Sequence, residues 1–239
     1  MSKTHKIGWK TALMLVISNM VGTGVFTSLG YQLVEVQNVW SIILLWVLGG
    51  VLALIGAFTF AELGTHYNKS GGDYVFISEG FSPFWGYLSA WTSLIVGFSA
   101  PVAIAGLAME AYLSPFHISN LRLYIVLVIM GISLFHTFSL KHSSLFQISA
   151  TVIKLLFVLF LLGLGIYFTA TEGNALSIES SLLSEISNSG FAVSLLYVTY
   201  AYTGWNAAAY IVGEIRNPQK DLPRALILGT LFVMMVYVL

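Results

Sequence analysis

The chain has no cysteine, which excludes disulfide staples and thiolate metal sites. Charge is scarce: Asp, Glu, Lys and Arg make up 8% of 239 residues, and the formal net charge is zero. Without a basic excess there is no bulk attraction to nucleic acid, so no nucleic acid partner is expected. The five histidines are scattered, and none pairs at ligand spacing with another ligand type. No metal and no cofactor is therefore expected, and the chain reads as a non-enzyme.

What is present is apolar. Hydrophobic residues reach 57%, and with so little charge such a chain cannot stay in solution. A multi-pass membrane protein in contact with the lipid bilayer follows from composition alone. Lys3, Lys6 and Lys10 precede an apolar run, as in a signal peptide. No small-residue cleavage site follows, however, and Asn19 interrupts the run, so the segment reads as a first membrane helix.

Crossing a bilayer takes about 20 apolar residues. Stretches of that kind place helix 1 near 10–31, helix 2 near 39–63, helix 3 near 84–113 and helix 4 near 121–139. Helix 5 follows near 144–168 and helix 6 near 190–213. A partial seventh, 224–239, is too short to cross comfortably. Residues 1–239 thus read as a single transmembrane domain and as the front portion of a longer protein.

Basic residues set the orientation. With the N-terminus cytoplasmic, Lys3, Lys6, Lys10, Lys69, Lys141, Arg216, Lys220 and Arg224 all fall inside, and Arg122 alone among the loop basic residues falls outside. Glu35, Glu172, Glu179 and Glu185 fall outside, although acidic residues contribute little to the rule. Seven-helix receptors and retinal proteins place the N-terminus outside. A retinal protein also needs its lysine in the last helix, whereas Lys154, the lysine within a span, is in helix 5.

Two spans are interrupted by glycine-centred polar clusters. The first reads Asn19-Met20-Val21-Gly22-Thr23-Gly24, the second Tyr200-Ala201-Tyr202-Thr203-Gly204-Trp205-Asn206. Lipid offers freed backbone groups no partners, so such breaks normally line a cavity or a binding site. A half-helix starting near Gly24 points amides and a positive dipole end at the break, which suits a carboxylate. A half-helix ending near Ala201 presents orphan carbonyls, which suit an ammonium. Tyr200 and Tyr202 supply aromatic bulk, and Thr203 and Asn206 supply polarity. The rival accounts are a small-residue contact between intact helices for the first cluster and an aromatic-rich core stretch for the second. Two breaks at matching depth point to a transporter of a small zwitterion.

Lys154 lies about ten residues into helix 5, roughly 15 Å from its end, close to the bilayer midplane. An ionisable group there is a functional candidate. It can bind a proton, stand in for a coupling ion, or tether helix 5 to the broken helix 1. The 62–74 loop, with Gly71-Gly72, lacks phosphate-loop spacing and reads as a tight turn into a short interfacial helix. Asn217-Pro218 and Leu222-Pro223 mark a turn and a fresh helix start. Both loops are suited either to inside-facing charge pairs or to plain solvation. Pro101 is expected to kink helix 3, with Gly97 and Ser99 lining a cavity, and Glu110 is expected to reach the outer interface.

Four pieces resemble the amino acid–polyamine–organocation superfamily of permeases, above all its L-type amino acid transporter branch. They are Gly22-Thr23-Gly24-Val25-Phe26, the stretch from Ala61-Glu62-Leu63-Gly64 to Ser70-Gly71-Gly72-Asp73-Tyr74, the core Tyr202-Thr203-Gly204-Trp205-Asn206, and Asn217-Pro218 with Leu222-Pro223. The resemblance implies an all-α integral membrane protein of the LeuT-like inverted-repeat fold. The first five-helix repeat and the start of the second would be present, with helices 1 and 6 unwound at mid-membrane.

By the same resemblance, Gly22, Thr23 and Gly24 surround the amino acid carboxylate, the amides of Thr23 and Gly24 holding it. The carbonyls of Met20, Tyr200, Ala201 and Thr203 hold the α-ammonium, Tyr200 matches an aromatic gate, and Asn206 matches a polar residue beside the site. Lys154 matches a lysine standing where related permeases place sodium, which favours proton symport or exchange. One departure is Gly213 before Glu214, where L-type relatives commonly carry paired glutamates. The expected function is secondary active transport of amino acids, neutral ones by the lack of an acidic residue facing the pocket, across the cell membrane. Non-transporting sensors and inactive fragments are the alternatives.

Overall fold

The computed structural model describes residues 6–138, 140–172 and 182–239. Lys3 and Glu179, assigned above to the two membrane faces, lie outside them, as do the side chains of Lys141 and Glu172. The described residues are helices joined by turns, with an isolated backbone bridge between Ile7 and Ile215. Five helical stretches are long and apolar enough to cross a membrane: Trp9–Glu35, Val39–Tyr67, Pro83–Phe116, Phe146–Phe168 and Pro218–Val238. Leu121–Thr137 and Ser189–Ala201 are shorter apolar helices. The architecture is that of an all-helical integral membrane protein.

The chain divides into two compact units, one of residues 1–72 and 150–239 and the other of residues 73–149. The first unit contains α1 (Trp9–Met20), α2 (Gly24–Glu35) and α3 (Val39–Tyr67). Asn38 starts α3 by accepting the Trp40 amide on its side chain at 2.9 Å. Asn68 ends it in the left-handed region, with φ of 50° and its amide on the Gly64 carbonyl.

The second unit contains α4 (Asp73–Gly80), α5 (Pro83–Thr92), α6 (Ala100–Leu113) and α7 (Leu121–Phe138). Between α5 and α6 the backbone widens into a π-helical stretch, Ser93–Ser99. Pro101 explains this position: it has no amide, and its ring crowds the carbonyl four residues back in a regular helix. The wide turn shifts the register, so that the Ala100 amide reaches Ile95 instead. Ser99 lines a groove between α6 and α7 beside Gly106, while Gly97 is exposed. At that groove Glu110 is paired with Arg122 at 2.7 Å.

The remaining helices are α8 (Leu140–Glu172), α9 (Leu182–Ile186), α10 (Ser189–Ala201) and α11 (Pro218–Val238). α11 begins at Pro218, six residues ahead of the expected Arg224. Pro218 occupies the first turn, where a missing amide costs nothing, and the second proline, Pro223, is carried inside the helix.

The core of the first unit is built where glycines let backbones approach. α3 and α11 run antiparallel, with Gly64 under Leu222 at one end and Gly50 under Met234 at the other. A Cβ on Gly49 would fall 2.5 Å from Val198, and one on Gly229 would fall 2.8 Å from Val16. Small residues of this kind are how helices pack where lipid supplies no hydrophobic drive. Between them sits Tyr202, 1% exposed, whose hydroxyl donates to the Trp46 carbonyl at 2.9 Å.

Candidate functional site

The first break is a defined turn. α1 stops at Met20, and Val21 adopts φ −78° and ψ 87°, close to an inverse γ-turn. The Gly22 amide accordingly reaches back only two residues, to the Met20 carbonyl at 2.9 Å. This choice takes the Gly22 amide away from the Ser18 carbonyl, its partner in a continued helix. It also turns the Val21 carbonyl outward. Thr23 then returns to helical angles and α2 starts at Gly24, with no side chain capping its N-terminus.

Lys154 on α8 takes up both freed acceptors. Its Nζ donates to the Ser18 carbonyl at 3.2 Å and to the Val21 carbonyl at 2.6 Å. The ammonium thus sits at the negative end of the α1 dipole and caps it. Three residues earlier on the same face, Thr151 Oγ1 donates to Ser18 Oγ at 2.8 Å. Two points on α8 therefore hold the end of α1. Sequence reasoning found Lys154 and missed Thr151, although the i, i+3 spacing was available as a signal.

The second break has a different shape. α10 ends at Ala201, and the Thr203 amide and hydroxyl both fold back onto the Tyr200 carbonyl, at 3.0 and 2.7 Å. Gly204 follows at φ +100°, a region that L side chains rarely adopt. The chain resumes as a 3-10 segment, Ala207–Glu214, kinked at Ile211. Asn206 sits half-buried at its start, its carbonyl accepting the Ala209 amide at 2.9 Å. Trp205 packs edge-on against Phe60 at 4.9 Å, over the space left by Gly56.

The two breaks interlock. A Cβ on Gly24 would lie 3.0 Å from Ala201 Cα and 3.5 Å from the Tyr200 ring. A Cβ on Gly204 would lie 2.8 Å from the backbone of Asn19. Each break thus has a glycine seated on the other's chain, and the uncapped start of α2 meets the end of α10.

The carbonyls divide into two sets. Met20 already accepts from Gly22 and from the Tyr237 hydroxyl, at 2.9 Å each, and Tyr200 accepts from Thr203. Among the described residues, the carbonyls of Ala201 and Thr203 accept none of the turn's hydrogen bonds. Tyr237, on α11, was not legible as part of the site: its ring meets Trp46 edge-on at 5.4 Å and Tyr202 at a tilt at 5.2 Å, 217 residues from Met20. Tyr237→Phe removes one hydrogen bond with little change of shape. It is expected to cost about 1 kcal/mol, read as a small drop in the thermal unfolding midpoint of the purified protein.

The segment after the second break is pinned by backbone pairing. The Gly71 amide donates to the Tyr210 carbonyl at 3.1 Å, and the Gly213 amide to Ser70 Oγ at 2.8 Å. Ile7 pairs with the strand-like stretch beyond, its amide on Glu214 and its carbonyl on the Arg216 amide, both at 2.9 Å. Gly213 is accounted for by this contact, since a Cβ there would press on Ser70 Oγ at 2.9 Å.

Comparison with known proteins adds the following. The family model described as "Amino acid permease" matches residues 7–239. The chain is 32% identical to b(0,+)-type amino acid transporter 1 of Mus musculus, covering all of this chain and 50% of that protein. It is 30% identical to the serine/threonine exchanger SteT of Bacillus subtilis, over 98% of this chain and 53% of that one. Large neutral amino acids transporter small subunit 2 of Oryctolagus cuniculus is 28% identical, over 98% and 45%. The chain spans about half the length of the curated relatives it matches.

Proposed function

This chain belongs to the amino acid permease family, and from that premise we propose that it supplies the substrate-reading half of a secondary active amino acid transporter in the cell membrane. The observation that carries this reading is the interlocking of the two breaks, which sets the uncapped start of α2 against the end of α10. The amides of Thr23 and Gly24, beside Gly22, hold the carboxylate at the positive end of α2. The open carbonyls of Ala201 and Thr203 receive the α-ammonium first. Those of Met20 and Tyr200 contribute once their present donors, Tyr237 and Thr203, share or yield them.

The Tyr200 ring, lying over Gly24, closes the site as an aromatic gate, and Asn206 lends polarity at its edge. Lys154, fixed on the end of α1, senses the shape of the first break and takes the place of a coupling ion, as a proton carrier or a permanent cation. Helices 1 and 6 are the unwound helices of a LeuT-like inverted repeat, broken at mid-membrane, and residues 1–239 form one transmembrane domain with a cytoplasmic N-terminus. Proton symport or exchange, not catalysis, is the activity. The exchanger named among the relatives favours exchange, and the lack of a carboxylate at the two breaks favours neutral substrates.

The test is uptake of radiolabelled amino acids by the complete gene product in proteoliposomes. Saturable uptake or exchange of neutral amino acids is the expected result. No saturable uptake of any amino acid overturns the proposal.

A further inference from the structure

α2 and α10 run antiparallel, and fixed points set their register. At one end Gly24 is seated on Ala201. One turn along, Ser28 Oγ donates to the Tyr197 carbonyl at 2.9 Å, with the Tyr31 and Tyr197 rings stacked alongside at 5.1 Å. At the far end Glu35 presses on Gly190, where a Cβ would fall 2.6 Å from its carboxylate. Positions 24, 28, 32 and 35 share one face of α2, and 201, 197, 194 and 190 share one face of α10. Gln32 therefore comes to the level of Ser194.

Both side chains are sealed in, Gln32 at 0% and Ser194 at 1% exposure. Among the described residues, neither Gln32 Nε2, Gln32 Oε1 nor Ser194 Oγ has a hydrogen-bond partner. Ser41, also at 0%, is in the same condition. It lies on α3, which runs parallel to α10: the Glu185 carboxylate, just ahead of α10, accepts the Asn38 amide just ahead of α3, and further along Gly49 faces Val198. Two turns back from Gly49, Ser41 lies about one turn, roughly 6 Å, from the Ser194 level.

A buried polar atom left unpaired is costly, so four such atoms on three helices call for a partner. Its chemistry is constrained. A carboxamide offers donors and acceptors, and so does each hydroxyl. A cation would engage the oxygens and repel Nε2, and an anion would leave Oε1 unserved. A small neutral molecule that both donates and accepts can bond either end of the carboxamide and each hydroxyl, one bond to each side chain. We propose that α2, α3 and α10 enclose a structural water, held by Gln32 and Ser194 with Ser41 as third partner. Three protein partners match the usual valence of a buried water, about three hydrogen bonds. The water ties together the two half-helices that adjoin the breaks, adding a second polar link to the Ser28–Tyr197 bond on their shared face.

The test is an experimental density map of the purified protein at a resolution that shows ordered water. An isolated peak about 3 Å from the Gln32 side chain and from Ser194 Oγ is expected. No peak, direct pairing of Gln32 with a protein group, or a peak at the shorter distances of a coordinated cation each overturns the proposal. Gln32→Leu adds a second readout: the peak should vanish and the unfolding midpoint should fall by several degrees. An unchanged or raised midpoint means that the amide was simply unpaired and counts against the site. Should Gln32→Leu fail to fold, the wild-type map decides alone. Neither readout involves transport, so the inference stands or falls separately from the proposed function.

Discussion

Lys154→Ala is expected to reduce transport by at least tenfold while leaving membrane insertion intact. The Nζ group donates two charge-assisted hydrogen bonds to carbonyls that the turn at Val21 has freed. Such bonds contribute about 1.5–3 kcal/mol each, and 1.4 kcal/mol corresponds to a factor of ten. Alanine removes both bonds and leaves a hole beside the turn, and Thr151 becomes the remaining tie from α8 to the end of α1. The first break then loses its fixed shape, and the Thr23 and Gly24 amides lose their aim. Uptake by the reconstituted variant, set against its expression and elution profile, separates lost function from lost folding. Full activity with an unchanged pH profile would move Lys154 to a purely structural role.

The second large effect is expected at Gly204. Its φ of +100° is strained for any L residue, and a Cβ would meet the Asn19 carbonyl carbon and oxygen at 2.8 Å. These are backbone atoms that cannot swing aside, so Gly204→Ala must push the two breaks apart. The expected cost is about 1–3 kcal/mol for the strained angle, with overpacking added. Amino acid binding, read as ligand-induced thermal stabilisation, should disappear. Gly30→Ala is the matched control: Gly30 lies inside α2 with nothing within 4 Å of a Cβ. Helix propensity alone should make that variant neutral or slightly more stable. Equal losses in both variants would mean that the interlock is not what Gly204 protects.

Much of the architecture was legible because membrane helices announce themselves. The stretches near 10–31, 39–63, 84–113 and 144–168 follow from length and hydropathy, since lipid tolerates little else. The interruptions at 20–24 and 200–206 were legible for the same reason: glycine and polar residues inside long apolar stretches need a purpose. Other features depend on local geometry that residue types leave open. Pro101 announced an irregularity, but a π-helical stretch at Ser93–Ser99 is one of several ways to absorb it. The 3-10 segment after Asn206 is likewise set by Ser70, Gly71 and Ile7, residues distant in the chain.

The site shows the same division. Lys154 was visible as a charge in apolar sequence, whereas Tyr237 and Thr151 look like ordinary helix residues. Their meaning comes from partners far along the chain. Tyr237 meets Met20 across 217 residues, and Thr151 meets Ser18 across 133.

By itself, then, the sequence determined the medium, several of the helical spans, the two places where helices break and the presence of a lysine within a span. These are matters of solvation and backbone chemistry, readable one segment at a time. Only the tertiary structure decided that the breaks face each other, Gly24 on Ala201 and Gly204 on Asn19. It also decided which carbonyls are already taken and that Lys154 caps α1. The physical reason is that freed backbone groups seek partners wherever packing brings them, and no local pattern records that choice.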